Sequence, residues 1–234
     1  MAEYQTGCLV CGNELVYRKT EELDCFYCHK LYESNVKCES GHFVCGQCHR
    51  SSGNDVIENV CINTKLENPL EIALSLMDNS KIKMHGPEHH FLIPAALLAA
   101  YYNFKKDSAE KDIKIREARR RASNVLGGFC GFYGDCGAAV GTGIFISLIT
   151  NSTPLSLHEW KLSNLMTAKS LLTIANHGGP RCCKRNTFLA IIETINFLKT
   201  HFKVTIKIEK NIRCRFTHLN KECLTRQCPF YASS

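Results

Sequence analysis

Four closely spaced pairs of metal-ligating residues open the chain. They are Cys8-x2-Cys11, Cys25-x2-Cys28, Cys38-x3-His42 and Cys45-x2-Cys48. A C-x2-C turn presents two thiolates to one ion, and zinc takes four soft or borderline ligands in a tetrahedron. Eight ligands therefore make two complete zinc sites. Gly12, Gly41 and Gly46 stand in the gaps, where tight turns need small residues. The pairing is open at this level. Sequential pairing joins Cys8, Cys11, Cys25 and Cys28, then Cys38, His42, Cys45 and Cys48. Cross-braced pairing joins the first element to the third and the second to the fourth. His29 and His49 flank the ligands and read as surface residues.

A second set of cysteines has different surroundings. Cys130 and Cys136 lie in GGFCGFYGDCGAAVGTG (127–143), and Cys182 and Cys183 lie in GGPRCCKRN (178–186). Each stretch is a Gly-rich turn before an apolar helical run. A helix N-terminus favours a thiolate, and glycine lets backbone N–H groups approach sulfur. Cys214-x8-Cys223-x4-Cys228-Pro229 closes the chain. Together Cys130, Cys136, Cys182, Cys183, Cys214, Cys223 and Cys228 suit a [4Fe–4S] cluster with ligands drawn from distant segments. Another zinc site, or buried and redox-active thiols, are the competing readings.

A cluster held by three cysteines leaves one iron open as a Lewis acid for a hydroxyl, thiol or carboxylate. The candidate bases beside it are His89 and His90, next to Glu88. The bland alternative makes them ordinary polar residues at a helix entrance, and His158 and His177 read that way more strongly. Arg181, Lys184 and Arg185 suit a carboxylate or sulfur anion. The adjacent Cys182 and Cys183 also admit a persulfide or disulfide relay.

The elements that must position these residues are mostly helical. Residues 1–52 are rich in Cys, Gly and aromatics and form the double zinc module; residues 53–234, after the break SSGND (51–55), are helical in texture and carry the second cysteine set. Helices are expected from Asn68-Pro69 through LEIALSLMD, from Pro94 through AALLAAYYNF, over 107–126, over 136–150, over 154–176 up to the stop His177-Gly-Gly-Pro180, and over 186–201. VTIKIEK (204–210), alternating and β-branched, reads as a short strand near the C-terminus. The expected fold class is mostly α, with a small metal-bound module in front.

Composition narrows the partners. Lys and Arg number 29 against 22 Asp and Glu, a formal charge of +7, which is modest for a protein that coats nucleic acid. The run KKDSAEKDIKIREARRR interleaves acids with its bases and reads as a solvated helix face. Trp160 reads as a core anchor, and Gly141-Thr-Gly143 as close helix packing rather than a phosphate loop. The apolar stretches 91–104 and 137–150 are each too short for a bilayer, which takes about 20 residues. No secretory signal opens the chain, so a cytoplasmic location with reduced, metal-binding cysteines is expected.

Two resemblances bear on these segments. CESGHFVCGQC resembles half of a RING or related cross-braced finger. Cys136-Gly-Ala-Ala-Val-Gly and Cys182-Cys-Lys-Arg-Asn, the latter followed by TFLAIIETI, resemble two cluster-ligating segments of the iron–sulfur-dependent L-serine dehydratases. That likeness implies cluster ligation by Cys136 and Cys182, with Arg185 and Asn186 lining the site. The position corresponding to the family's third ligand holds Glu193, so Cys130 or a terminal cysteine would replace it. The whole arrangement, from GHFVCGQCH through GPEHHFLIPA and GGPRCCKRN to CPFY, also resembles an uncharacterised family of prokaryotic proteins, whose members are sometimes fused to methyltransferase domains. No strand–GxGxG–helix signature for a methyl donor is present in this chain.

The functional expectation is an iron–sulfur-dependent lyase-like or sulfur-handling enzyme acting on a small hydroxy- or thiol-bearing acid. The alternative is a non-catalytic adaptor whose zinc finger binds protein or nucleic acid.

Overall fold

The computed structural model describes residues 8–11, 13–45, 48, 52–208 and 211–232. Gly12, Gly46 and His49 lie outside the described residues. The first element is an antiparallel hairpin, β1 (Leu15–Asp24) and β2 (Leu31–Cys38), paired from Leu15 opposite Cys38 to Asp24 opposite Leu31. The pairing is irregular between Tyr17 and Glu21. Most hairpin side chains are exposed, so the ladder stands largely in solvent.

The rest is helical, as its patterning predicts. α1 (Gly53–Asn63) begins at Ser52, whose hydroxyl accepts from Asp55 N while the Asp55 carboxylate accepts from Ser52 N. This reciprocal cap turns the expected break into a helix start. Asn68 caps α2 (Pro69–Met77), with Pro69 in the first turn, where its missing N–H costs nothing. α3 (Glu88–Lys105) is buried along nearly its whole length. It starts six residues before Pro94, so the proline sits inside the helix instead of opening it.

Beyond α3, α4 (Ser108–Ala122) is capped by Asp107, and a single turn, α5 (Phe129–Phe132), leads to α6 (Gly137–Ile149). α7 (His158–Asn176) and α8 (Cys183–Phe197) follow, and α8 runs on into a π turn, Leu198–Phe202. Glycines set the spacing round α6. A Cβ at Gly141 would lie 3.0 Å from Pro94 Cδ and 3.2 Å from His90 O, and one at Gly143 would meet Thr167 Oγ1 at 2.0 Å. The Gly-Thr-Gly step is thus where α6 presses on α3 and α7.

Two expectations need correction. Residues 204–208 alternate buried Val204 and Ile206 with exposed Thr205 and Lys207, but they form no strand ladder. Any extended chain turns successive side chains to opposite sides, so the alternation reports extended backbone and not a pairing partner. Residues 209–210 lie outside the described residues. Trp160 is 51% exposed and anchors no core.

One apolar core runs through both parts of the chain. It takes in Tyr27 and Phe43 of the module together with Ile57, Leu76, Phe91, Leu98, Phe145 and Phe188. No helix among the described residues is long and apolar enough to cross a membrane.

Candidate metal centres

The hairpin brings distant cysteine pairs together. β1 begins just after Cys11 and β2 ends at Cys38, so antiparallel pairing of Leu15 with Cys38 returns the chain to its first knuckle. Cys11 Sγ then lies 3.8 Å from Cys38 Sγ, and Cys38 Sγ lies 3.5 Å from His42 Nδ1. At the other end, Cys25 forms a β-bridge with Phe43, which carries Cys45 past the second knuckle. Cys28 Sγ and Cys45 Sγ are 3.9 Å apart.

Two groups of ligand atoms, Cys8, Cys11, Cys38 and His42, and Cys25, Cys28, Cys45 and Cys48, each lie within 4.8 Å of one another. The pairing is cross-braced. Four thiolates about 2.3 Å from one zinc sit roughly 3.8 Å apart, which these separations match. Either group could hold a metal ion.

The backbone prepares the sulfurs. Val10 N donates to Cys8 Sγ at 3.4 Å, His42 N to Cys38 Sγ at 3.3 Å, and Cys45 N to Cys25 Sγ at 3.3 Å. Such N–H donors stabilise thiolate over thiol. Gly41 takes φ +85° in the turn between Cys38 and His42, a conformation that only glycine adopts without strain. Within the all-cysteine group the hydrogen bond with Cys48 pulls Cys25 down to about 4, while the same bond pushes Cys48 up. His29 points to Asp24 at 3.5 Å on the surface and takes no part.

Tyr27, inside the second knuckle, is fully buried, and its hydroxyl donates to Leu9 O at 3.3 Å. Sequence reasoning passed over this residue. The signal for it was two adjacent aromatics, Phe26 and Tyr27, inside a knuckle whose intervening residues need only turn.

The second cysteine set divides. Cys182, Cys214, Cys223 and Cys228 line one narrow pocket with Arg185 and Phe188. Cys136 stands apart at the N-cap of α6, where Asn186 Nδ2 donates to its sulfur at 3.4 Å. Cys183 accepts a backbone N–H from Gly86, and burial pushes its thiol up to about 11. Cys130 is half-buried on the α5 turn. Cys61, alone in sequence, is fully enclosed in α1, and burial raises its thiol.

The residues expected to act on substrate have other partners. His89 is fully buried, with Nδ1 3.1 Å from Thr187 Oγ1 and Nε2 3.2 Å from Lys83 O; burial holds its pKa well below the usual imidazole value. His90 Nδ1 lies 2.8 Å from Val125 O, and its ring packs over Gly137. Arg185 is 3% exposed and donates to Gly178 O at 2.6 Å and Pro180 O at 3.2 Å. Lys184 bonds Met77 O and Ile82 O at 3.3 Å and lies over the Phe216 ring; burial lowers its pKa to about 8. Glu88 keeps one buried carboxylate oxygen with no hydrogen-bond partner among the described residues. The basic run is neutralised locally: Arg119 pairs with Asp55 and Glu58, and Arg120 and Arg121 pair with Glu117.

A family model described as a family of unknown function, DUF5714, matches residues 57–231. The chain belongs to that family. The DUF5714 match covers all eight helices except the first four residues of α1, together with the whole second cysteine set, and begins after the paired metal groups. No curated protein and no solved structure matches the chain, and nothing in these comparisons supports the local likeness to the serine dehydratases.

Proposed function

We propose that this DUF5714 protein is an iron–sulfur protein whose helical part handles sulfur on a small thiol-bearing acid, with two structural zinc ions in the module at 8–48. The observation that carries the reading is the gathering of Cys182, Cys214, Cys223 and Cys228 round one pocket beside Cys183. Of the two chemistries open to such a site, sulfur handling fits better than elimination. Elimination needs an exposed base, and both nitrogens of His89 are already engaged in the interior. Arg181, exposed ahead of Cys182 and in no ion pair among the described residues, is suited to a substrate carboxylate.

Zinc in the module is supported by the borderline donors and the tetrahedral spacing of the sulfurs. An adaptor role for the finger has its own support. Tyr17 and Leu31 are 73% and 63% exposed on the hairpin, where a protein partner could cover them.

The test is metal and acid-labile sulfide analysis on protein purified without oxygen. About two zincs, with roughly four irons and four sulfides, is the expected composition. Freshly prepared, folded protein carrying zinc alone would sink the iron–sulfur reading, and partner binding by the hairpin would then be the function to pursue.

A further inference from the structure

We infer that Cys182, Cys214, Cys223 and Cys228 form a complete four-thiolate set for a [4Fe–4S] cluster, with Cys130, Cys136 and Cys183 outside it. This rests on the iron–sulfur reading above and changes its chemistry, because a cluster with every iron held by cysteine offers no open Lewis-acid position. The cluster's own part is then to take and give single electrons beside the sulfur chemistry, not to bind the substrate.

Geometry makes the assignment. The four cysteines line one narrow slot of about 20 Å³, and Phe188, Phe216 and Phe230 stand in its apolar lining. Burial raises the Cys214 and Cys182 thiols, and negative charge on neighbouring cysteines of the set adds to it. Cys136 lies outside this slot, at the N-cap of α6.

The backbone round this set repeats the pattern of the paired metal groups. Phe216 N donates to Cys214 Sγ, Thr225 N to Cys223 Sγ and Arg185 N to Cys182 Sγ, each at 3.4 Å. Val10 N makes the same contact at Cys8, over the two-residue step that Phe216 and Thr225 also span. Three of the four sulfurs thus accept a backbone N–H. Arg185 on the slot wall supplies positive charge towards an anionic cluster.

Spacing argues against a single ion. Thiolates round one zinc approach to roughly 3.8 Å. Apart from the two groups at 8–48, no three ligand atoms among the described residues come within 4.8 Å of one another. A four-iron cube holds its thiolates at its outer corners, roughly 6 Å apart. The second set is not drawn to the single-ion spacing of the two groups at 8–48.

The segment that carries three of the ligands also needs a staple. Between Cys214 and Tyr231 it has two three-residue helical turns and one β-bridge. It is tied down by an ion pair of Arg215 with Asp78 and by Phe230 packed 5.1 Å from Phe188. A short irregular segment with so little regular structure gains its order from a metal centre.

The experiment is iron and sulfide content across single cysteine variants of the full chain, purified without oxygen, with zinc as the folding control. Cys182→Ala, Cys214→Ala, Cys223→Ala and Cys228→Ala should each lose most of the iron, at least about fourfold, and keep both zincs. Cys130→Ala, Cys136→Ala and Cys183→Ala should keep iron. Iron retained in Cys214→Ala and Cys228→Ala, or lost in Cys136→Ala, overturns the ligand set while leaving the iron–sulfur reading intact. A third zinc and no iron in the parent protein overturns both. Where a variant does not fold, alkylation of the parent protein answers instead. The four thiols should become reactive only after iron is chelated, and reactivity before chelation overturns the assignment.

Discussion

Ligand identity is read most directly one residue at a time. Cross-bracing puts Cys8 and His42 in one ligand group and Cys8 and Cys25 in different groups. Cys8→Ser with His42→Ala should therefore leave about one zinc, and Cys8→Ser with Cys25→Ser should leave about none. Elemental analysis reads the difference, and the opposite ranking would mean sequential pairing. His89 gives a second prediction. Its pKa is lowered in the folded protein by burial and by the charge of Lys184, so below about pH 6.5 the unfolded chain binds a proton that the native one refuses. Stability should fall as pH drops from there, at up to about 1.4 kcal/mol per pH unit from this residue, and His89→Gln should flatten that slope in urea titrations. Spacing alone made the eight ligands of the module legible, because paired knuckles have few other uses. His89 misled because a polar residue next to a carboxylate at a helix start looks solvent-facing in sequence, while the fold turned it inward onto Thr187 and Lys83.

At the level of elements, α6 depends on glycine for its contacts. Gly143→Ala gains about 1 kcal/mol of helix propensity but sets a methyl 2.0 Å from Thr167 Oγ1, and overpacking costs typically 1–3 kcal/mol. A net loss of roughly 1–2 kcal/mol is expected in urea unfolding. Adding Thr167→Ala should recover most of it; a stable single variant would mean that α7 moves away freely. The helices were legible wherever a cap or stop was written beside the apolar pattern, as at Asn68-Pro69 and at Asp107. Pro94 was misread as a start, because proline suits a first turn, yet here the sequence before it, Glu88 to Ile93, carries enough burial to extend the helix past it. The β1–β2 hairpin was not legible: nearly all β1 side chains are exposed, so no alternation marks that strand, and the two ligand groups lie at the hairpin's ends.

Across the whole molecule, the module and the helices share one core. Tyr27 and Phe43 are counted among the same packed apolar residues as Ile57 and Leu76. Stripping the module's metal should therefore loosen the helices as well. A chelator strong enough to remove zinc should lower the melting temperature of the helical signal by about 2–4 °C for each kcal/mol lost. An unchanged melting curve, with only the finger disordered, would show that the shared core contributes little. This union was hidden in the sequence, where the cysteine-rich stretch and the helical stretch differ sharply in composition. The division of the second cysteine set was hidden too, since Cys182 and Cys183 are neighbours in the chain and face different surroundings.

Cross-bracing also fixes a timetable for synthesis. Cys11 and Cys38, which meet in one ligand group, are 27 positions apart, so the first knuckle leaves the ribosome long before its partners. At about 5–20 residues per second that interval lasts seconds. Through it, Cys8 and Cys11 form only half a chelate. A nascent chain halted before His42 has completed neither site, and the two are finished almost together, within the last few residues of the module.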